Sequence, residues 1–405
     1  MSEQPVLEIQ IPSSKSISNR LLVLQALFPD IRIDRLSAAR DTVLLKKALD
    51  EKGDIIDVRD AGTAMRFSLA YLAFHTGKPV LLTGTERMKQ RPVGPLAEAL
   101  RSLGAKIEYA EAEGYPPLRV YPAVPKGNTV QIDERVSSQF ITALMLIAPA
   151  MPEGLHIRFN TRRSVSKPYW KMTAMLLREA GSEVIVSDDG VLVKPLRTLK
   201  NKDFVVESDW SSASYFYEAT AISGKPVFLR YFDENSIQGD SRIRNTFRVF
   251  GVKTTFMEGG ILLEKNPHWW FHGCYLADCK PCPDLAQTIA VTCAALNVSC
   301  RLNGLKTLRI KETDRITAMH NELKKLGVEV RSGDYYLQID SARNLDLHNK
   351  TIETYRDHRM NMAFAPLMLL HKELQISDPG NVDKSYPGFW EDWERYLRYV
   401  DSFDK

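Results

Sequence analysis

Six short clusters place polar or ionisable residues at the start of strongly apolar runs: Lys15–Arg20 (KSISNR), Ala61–Arg66 (AGTAMR), Ser137–Gln139 (SSQ), Ser211–Ser214 (SSAS), Asp284–Gln287 (DLAQ) and His358–Met360 (HRM). A helix that is apolar nearly all round is buried, and burying charge at its first turn is costly unless something compensates it. Helix N-termini expose free backbone N–H groups and the positive end of the helix dipole, so Ser, Thr or Gly at such a start makes a seat for anions. In any single copy, Ser or Thr reads as an ordinary N-cap. The repetition of cations beside those caps (Lys15, Arg20, Arg66, Arg359) points instead to one or more strongly anionic small ligands.

Three further clusters extend the pattern. The run ERMKQRPVG carries Arg87, Lys89 and Arg91 before the Pro-x-Gly that enters a helix; taken alone it reads as a solvated face. The run RIKETDR sets Lys311, Glu312, Asp314 and Arg315 at a helix start, where acidic residues also serve the dipole. The segment DPGNVDKSYPGF holds Lys384 between Pro and Gly punctuation, a loop signature.

The elements that must position these residues recur. An amphipathic helix followed by an alternating strand appears five times, with Gly53, Gly104, Gly181, Gly251 and Gly327 expected to end the helices in the left-handed conformation. In the last copy Ile316, Met319, Leu323 and Leu326 form one apolar stripe. Between Gly62, Ser137, Ser211, Asp284 and His358 the steps are 75, 74, 73 and 74 residues, with a shorter first step of 47 from Lys15. So regular a spacing predicts six copies of one mixed unit in two groups of three, an α/β protein of two similar domains whose buried helices lie inside and sheets outside, with the boundary before Ser208.

Composition narrows the classes. The 405 residues are 44% hydrophobic and 26% charged with a net charge of +4, which excludes disordered, collagen-like and coiled-coil readings and makes a poor case for nucleic-acid binding. The longest apolar stretch, Ile141 to Met151, is too short to span a bilayer, and MSEQPVLEIQ lacks an export signal, so a soluble cytoplasmic protein without a membrane partner is expected. All five cysteines fall between Cys274 and Cys300, an odd number consistent with reduced thiols. Cys274, Cys279 and Cys282 with His268 and His272 match no standard zinc spacing, so no metal site is assigned. No GxxxxGK[ST] loop and no GxGxxG after a strand supports a nucleotide.

Taken in order from residue 12 to about 389, the segments PSSKSISNR, AGTAMR, RMKQRPVGPL, VSSQFITALM, SVSKPYW, ESDWSSASYF, CPDLAQT, RIKETDRITAM, TYRDHRM and DPGNVDKSYPGF resemble the 5-enolpyruvylshikimate-3-phosphate (EPSP) synthase family. The resemblance implies two domains, 14–207 and 208–405, each of three βαβαββ repeats around buried parallel helices (an inside-out α/β barrel), with strand 1–13 belonging to the second. It implies transfer of the enolpyruvyl group of phosphoenolpyruvate to the 5-hydroxyl of shikimate 3-phosphate, with release of phosphate, in the pathway to chorismate and the aromatic amino acids. It further implies no metal or organic cofactor, no nucleic-acid partner and a monomeric enzyme. Carried over residue by residue, Lys15, Ser16, Arg20, Ser137, Ser138, Ser166, Asp284 and Lys311 correspond to ligands of shikimate 3-phosphate. Lys15, Gly62, Arg91 and Gln139 correspond to ligands of the phosphoenolpyruvate phosphate, and Arg315, Arg359 and Lys384 to ligands of its carboxylate. Asp284 corresponds to the base at the 5-hydroxyl and Glu312 to the acid at the methylene carbon, with Lys15 at the departing phosphate and His358 as a proton partner of Glu312 or only a helix-start residue.

This chain departs from the family pattern at three positions. Asp60 replaces the usual Asn before Ala61-Gly62-Thr63 and sets a carboxylate near the expected phosphate; Phe67 replaces a common Pro, and Thr307 an Asn. Gly62 and Thr63 match the form associated with inhibition by glyphosate, which predicts sensitivity with Asp60 as the reason it would fail. The sister transferase acting on UDP-N-acetylglucosamine uses a different opening and a loop cysteine, yet no cysteine precedes Cys274. RNA 3′-phosphate cyclase shares a related repeat but needs a nucleotide and an RNA surface. A non-catalytic anion-binding relative draws its support from Asp60 alone, against intact Asp284, Glu312 and Lys15.

Overall fold

The computed structural model describes residues 5–133, 137–160 and 166–403. Strand β1 (Leu7–Ile9) joins the unit that begins again at Glu207, whereas Ser14–Val206 form a unit of their own. This N-terminal unit contains α1 (Lys15–Leu27), β2 (Arg32–Asp34), α2 (Arg40–Asp50), β3 (Ile55–Asp57), α3 (Gly62–His75), β4 (Val80–Thr83), α4 (Glu86–Lys89), α5 (Gly94–Ser102), β5 (Lys106–Tyr109), β6 (Leu118–Tyr121), β7 (Thr129–Ile132), α6 (Ser138–Ile147), β8 (Leu155–Phe159), α7 (Lys167–Ala180), β9 (Val184–Ser187), β10 (Gly190–Val193) and β11 (Asp203–Val205). The C-terminal unit adds α8 (Trp210–Ser223), β12 (Val227–Arg230), α9 (Ile243–Val249), β13 (Val252–Met257), β14 (Gly260–Lys265), β15 (Cys274–Asp278), α10 (Ala286–Ala295), β16 (Ser299–Asn303), α11 (Arg315–Lys325), β17 (Glu329–Ser332), β18 (Tyr336–Ser341), β19 (Thr351–Ile352), α12 (His358–Phe364), β20 (Gln375–Ile376) and α13 (Phe389–Asp401).

One strand pattern repeats in four sheets. The orders β3-β4-β6-β5, β7-β8-β10-β9, β1-β12-β14-β13 and β15-β16-β18-β17 each place a parallel pair beside an antiparallel hairpin. A parallel pair needs a crossover, and α3, α6 and α10 supply it between β3 and β4, β7 and β8, and β15 and β16. The remaining repeat in each unit contributes a two-stranded parallel sheet, β2 with β11 and β19 with β20. The molecule is therefore an α/β protein of two similar units.

The two helix types do different work. Helices α1, α3 and α6 pack on one another in the N-terminal unit, and α10 packs on both α8 and α12 in the C-terminal unit. Their residues are buried nearly all round: Ala64, Met65, Phe67, Leu69, Ala70 and Ala73 of α3 reach solvent by no more than 1%. The outer helices bury one stripe, and Ile316, Met319, Leu323 and Leu326 are all inaccessible. Ser14 caps α1, Ser137 caps α6, Asp209 caps α8 and Asp357 caps α12, each accepting a backbone N–H of the first turn. At α8 the cap is thus Asp209 rather than the Ser211–Ser214 cluster.

Gly104, Gly181, Gly251 and Gly327 adopt positive φ at the ends of α5, α7, α9 and α11. The expectation for Gly53 fails. Helix α2 stops at Asp50 with Glu51 extended, and the Glu51 carboxylate accepts the Gly53 N–H at 2.8 Å, closing the turn without a left-handed residue. Gly327 is the most constrained of the four, because a Cβ there would lie 2.4 Å from the Asn344 carbonyl oxygen at φ +81°. Gly327→Ala is expected to cost about 1–2 kcal/mol or more from the left-handed backbone and the clash combined, measured as a shift in the urea midpoint at unchanged slope.

Candidate active site

The structure gathers the residues singled out in the sequence into two groups, one in each unit. In the N-terminal unit, Lys15 at the first position of α1 pairs with the buried Asp41 of α2 at 3.1 Å. Arg20, one turn further, is buried and donates to the Ser16 carbonyl at 2.6 Å, to Thr173 Oγ1 at 2.8 Å and to the Tyr169 carbonyl at 3.0 Å. None of these partners is ionised. Burial pulls the Arg20 pKa down to about 9, opposed by Tyr169, which leaves a buried cation at neutral pH. Ser16, on the same turn of α1, thereby lies at the foot of the Arg20 side chain.

The start of α3 is built around close backbone approach. A Cβ on Gly62 would lie 2.6 Å from both terminal nitrogens of the Arg91 guanidinium, so only glycine lets that buried cation rest on the helix start. Arg66 donates to the Gly62 carbonyl and to the Pro92 carbonyl, both at 2.9 Å, and so ties the first turn of α3 to the segment carrying Arg91. Gln139, in the first turn of α6, donates to Thr63 Oγ1 at 3.3 Å and joins the α3 and α6 starts. Ser137 and Ser138 occupy the cap and first position of α6, and Ser166 enters α7 with φ +55°. Val136, Ser164 and Val165 of the same motifs lie outside the described residues. Asp60 is paired with Arg40 at 3.3 Å, so its charge is partly offset within the unit.

In the C-terminal unit the carboxylate of Asp284, in the 3-10 turn Pro283–Leu285 that leads into α10, receives three cations. Arg315 reaches it at 2.8 Å, Lys311 at 3.2 Å and Arg359 at 3.3 Å. Burial pushes the Asp284 carboxyl up, but Arg359, Lys311 and Arg315 together outweigh it and hold the group far below the usual carboxylate range. Burial pulls the Lys311 ammonium below its ordinary value, opposed by Asp284. Glu312 binds Arg315 at 2.9 Å. His358 and Arg359 open α12, with His358 Nδ1 3.7 Å from Asp357. Lys384 is buried at the end of the 3-10 turn Pro379–Lys384, which packs on α12.

Two residues that the spacing did not single out complete this group. Asp357, fully buried, clamps Arg315 with both oxygens at 2.7 and 3.1 Å and also accepts the Arg359 N–H at 2.9 Å. Its signal was the Asp-His-Arg order at a helix start, where a cap was due. Tyr215 of α8 lies within the influence of Arg359: burial pushes its pKa up to about 12 against the pull of Arg359. A tyrosine inside an apolar run carries no such signal. Among the described residues no group of three or more potential metal ligands includes a cysteine.

A family model described as EPSP synthase (3-phosphoshikimate 1-carboxyvinyltransferase) matches residues 31–393. The chain belongs to the EPSP synthase family. A 3-phosphoshikimate 1-carboxyvinyltransferase of Bacteroides fragilis (strain YCH46) is 45% identical, the match covering 95% of this chain and 93% of that protein. The enzyme of the same name from Haemophilus influenzae (strain Rd) is 36% identical, with 96% and 95% covered. The solved structure of EPSP synthase from Acinetobacter baumannii superposes with a TM-score of 0.73 at 20% identity over 96% of this chain and 95% of that one, a likeness of fold. Among the described residues no helix is long and apolar enough to cross a membrane.

Within this EPSP synthase family member, Asp357 is the group on which the geometry of the C-terminal cluster rests. Removing one partner of a buried ion pair leaves the other charge uncompensated. Asp357→Ala is therefore expected to destabilise the protein by about 3–5 kcal/mol, read from equilibrium denaturation, while replacement of the exposed Asp203 leaves the midpoint essentially unchanged.

Proposed function

We propose that the chain catalyses the reaction its family is named for, transfer of the carboxyvinyl group of phosphoenolpyruvate to the 5-hydroxyl of shikimate 3-phosphate with release of phosphate. The observation that carries the residue assignment is the buried Asp284 carboxylate with three cations upon it. The cations are matched in number by Asp284, Glu312 and Asp357, so the group is charge-balanced before any ligand arrives.

In this reading the phosphoenolpyruvate carboxylate takes Arg315, Arg359 and Lys384, arginine forks being suited to bidentate binding of a planar carboxylate. Its phosphate takes Gly62, Arg91, Gln139 and Lys15. Shikimate 3-phosphate is held by Lys15, Ser16, Arg20, Ser137, Ser138, Ser166 and Lys311. Once substrate anions engage Arg315, Arg359 and Lys311, their hold on Asp284 weakens and its basicity rises toward that of a proton acceptor. Asp284 then draws the proton from the 5-hydroxyl as the oxygen bonds to C2 of phosphoenolpyruvate, and Glu312 delivers a proton to C3. Glu312, left as a carboxylate, takes a proton back from C3 as phosphate departs, protonated by Lys15, and the double bond is restored. His358, beside Asp357, serves as the proton partner of Glu312. No metal or organic cofactor takes part, and the working form is a cytoplasmic monomer.

Phosphate release is expected only when both substrates are present, and Asp284→Asn should lower kcat by about 10²–10⁴-fold, the range for a lost general base. Release without shikimate 3-phosphate, or a variant with wild-type kcat, would sink the assignment. A folded wild type releasing no phosphate but binding shikimate 3-phosphate would leave the non-catalytic alternative.

The pairing of Asp60 with Arg40 bears on inhibition. Glyphosate is expected to inhibit competitively with phosphoenolpyruvate, because Arg40 offsets the Asp60 charge two residues before Gly62. Arg40→Ala should then raise KM for phosphoenolpyruvate by up to about fivefold, the scale of an exposed ion pair, and Asp60→Asn should reverse it in the double variant. An inhibition curve flat to high glyphosate would overturn the expectation.

A further inference from the structure

Away from the residues above, two loops of the C-terminal unit bring together side chains that neither the repeat nor the chemistry of carboxyvinyl transfer calls for. His348 lies three residues before β19, and His371 and Glu373 lie four and two residues before β20. The two strands pair in parallel, Thr351 with Gln375, so their entry loops run side by side. Among the described residues this is the one group in which three potential metal ligands meet: one atom each of His348, His371 and Glu373, all within 4.8 Å of one another. The imidazole rings meet edge to face with centroids 5.5 Å apart.

The backbone holds the loops in place. The Gln375 N–H donates to the Lys350 carbonyl at 3.1 Å, the His348 N–H to Asp346 at 3.0 Å, and the Leu374 N–H to the His371 carbonyl at 3.2 Å. A second observation points to a ligand. Among the described residues Nε2 of His371, shut off from solvent, has no hydrogen-bond partner, whereas most buried polar groups have one.

We propose that His348, His371 and Glu373 form a binding site for a divalent transition-metal ion of the zinc, nickel and cobalt class. Two imidazoles and one carboxylate suit these borderline ions rather than magnesium or calcium, which prefer all-oxygen shells. The exposed side chains of His348 and Glu373 have the rotamer freedom to close on an ion at about 2.0–2.2 Å, with water filling the open positions. The site is a staple rather than a catalytic centre. It ties the entry ends of β19 and β20, which are already joined at their exits where the Thr354 N–H donates to Ser377 Oγ at 3.0 Å. Beyond those exits the chain runs to Asp357–Arg359 on one side and to the turn ending at Lys384 on the other.

The test is calorimetric titration of NiCl2 into the untagged, EDTA-treated full chain, in a Cys274→Ser background that removes the exposed thiol. One saturable equivalent is expected. His371→Asn and His348→Asn should each weaken binding by about 100-fold, the upper range known even for groups that only support a ligand, and nickel should raise the thermal midpoint of the parent but not of either variant. Titration of cobalt should give a spectrum without a sulfur charge-transfer band. Equal midpoints of parent and variants in EDTA establish that the variants fold, and the exposed His348 keeps the test open if the half-buried His371 proves intolerant. Absence of saturable binding, or binding undiminished in both variants, would overturn the proposal.

Discussion

Everything the C-terminal unit can do with charge depends on how Arg315 is held. Its guanidinium is 1% exposed and spends its donors on three carboxylates from different parts of the chain: Asp357 before α12, Glu312 on its own approach to α11, and Asp284 before α10. Each would be costly to bury alone, and each is tolerable because the same fork satisfies all three. The arrangement fixes the mutual positions of three helix starts more tightly than apolar packing would, because an apolar contact slides and a bidentate clamp does not. Together with Arg359 and Lys311, it holds the buried Asp284 carboxyl below the usual carboxylate range.

The N-terminal unit solves a different problem. Its buried arginines are held chiefly by backbone carbonyls and hydroxyls: Arg20 by Ser16, Tyr169 and Thr173, and Arg66 by Gly62 and Pro92. A guanidinium satisfied by neutral acceptors keeps its full charge. With Lys15 paired to Asp41 and Arg91 resting on Gly62 at the start of α3, the cations at the helix openings of this unit outnumber the one carboxylate paired there, whereas Arg315 in the C-terminal unit is met by three carboxylates.

Most of this was legible in the residue order, for physical reasons that can be named. The near-constant spacing of buried-helix starts reveals the repeat because each unit must bury the same kind of helix behind the same kind of sheet. Left-handed glycines mark the ends of four outer helices because few other residues tolerate that conformation; Gly53 misled because a glutamate side chain can close a turn by itself. Lys311, Glu312, Arg315 and Arg359 were readable as charges at helix starts. Asp357 and Tyr215 were not, since an N-cap and an aromatic core residue look ordinary until the fold brings them against Arg315 and Arg359. The reduction of one repeat in each unit to a two-stranded sheet left no trace in the helix spacing, because the helices persist while the strands shorten.

The pairing of β1 with β12 sets an order of events during synthesis. Leu7 is matched with Val227, 220 residues later. At about 5–20 residues per second, the first strand leaves the ribosome roughly 10–45 s before its partner exists. All of Ser14–Val206 is made in that interval and closes its own sheets, so the N-terminal unit can fold as a complete body while β1 trails from it as an unpaired edge. A three-residue strand flanked by Gln10 and Pro12 is a short and poorly templating edge, which suits a segment that must stay available for a partner not yet made.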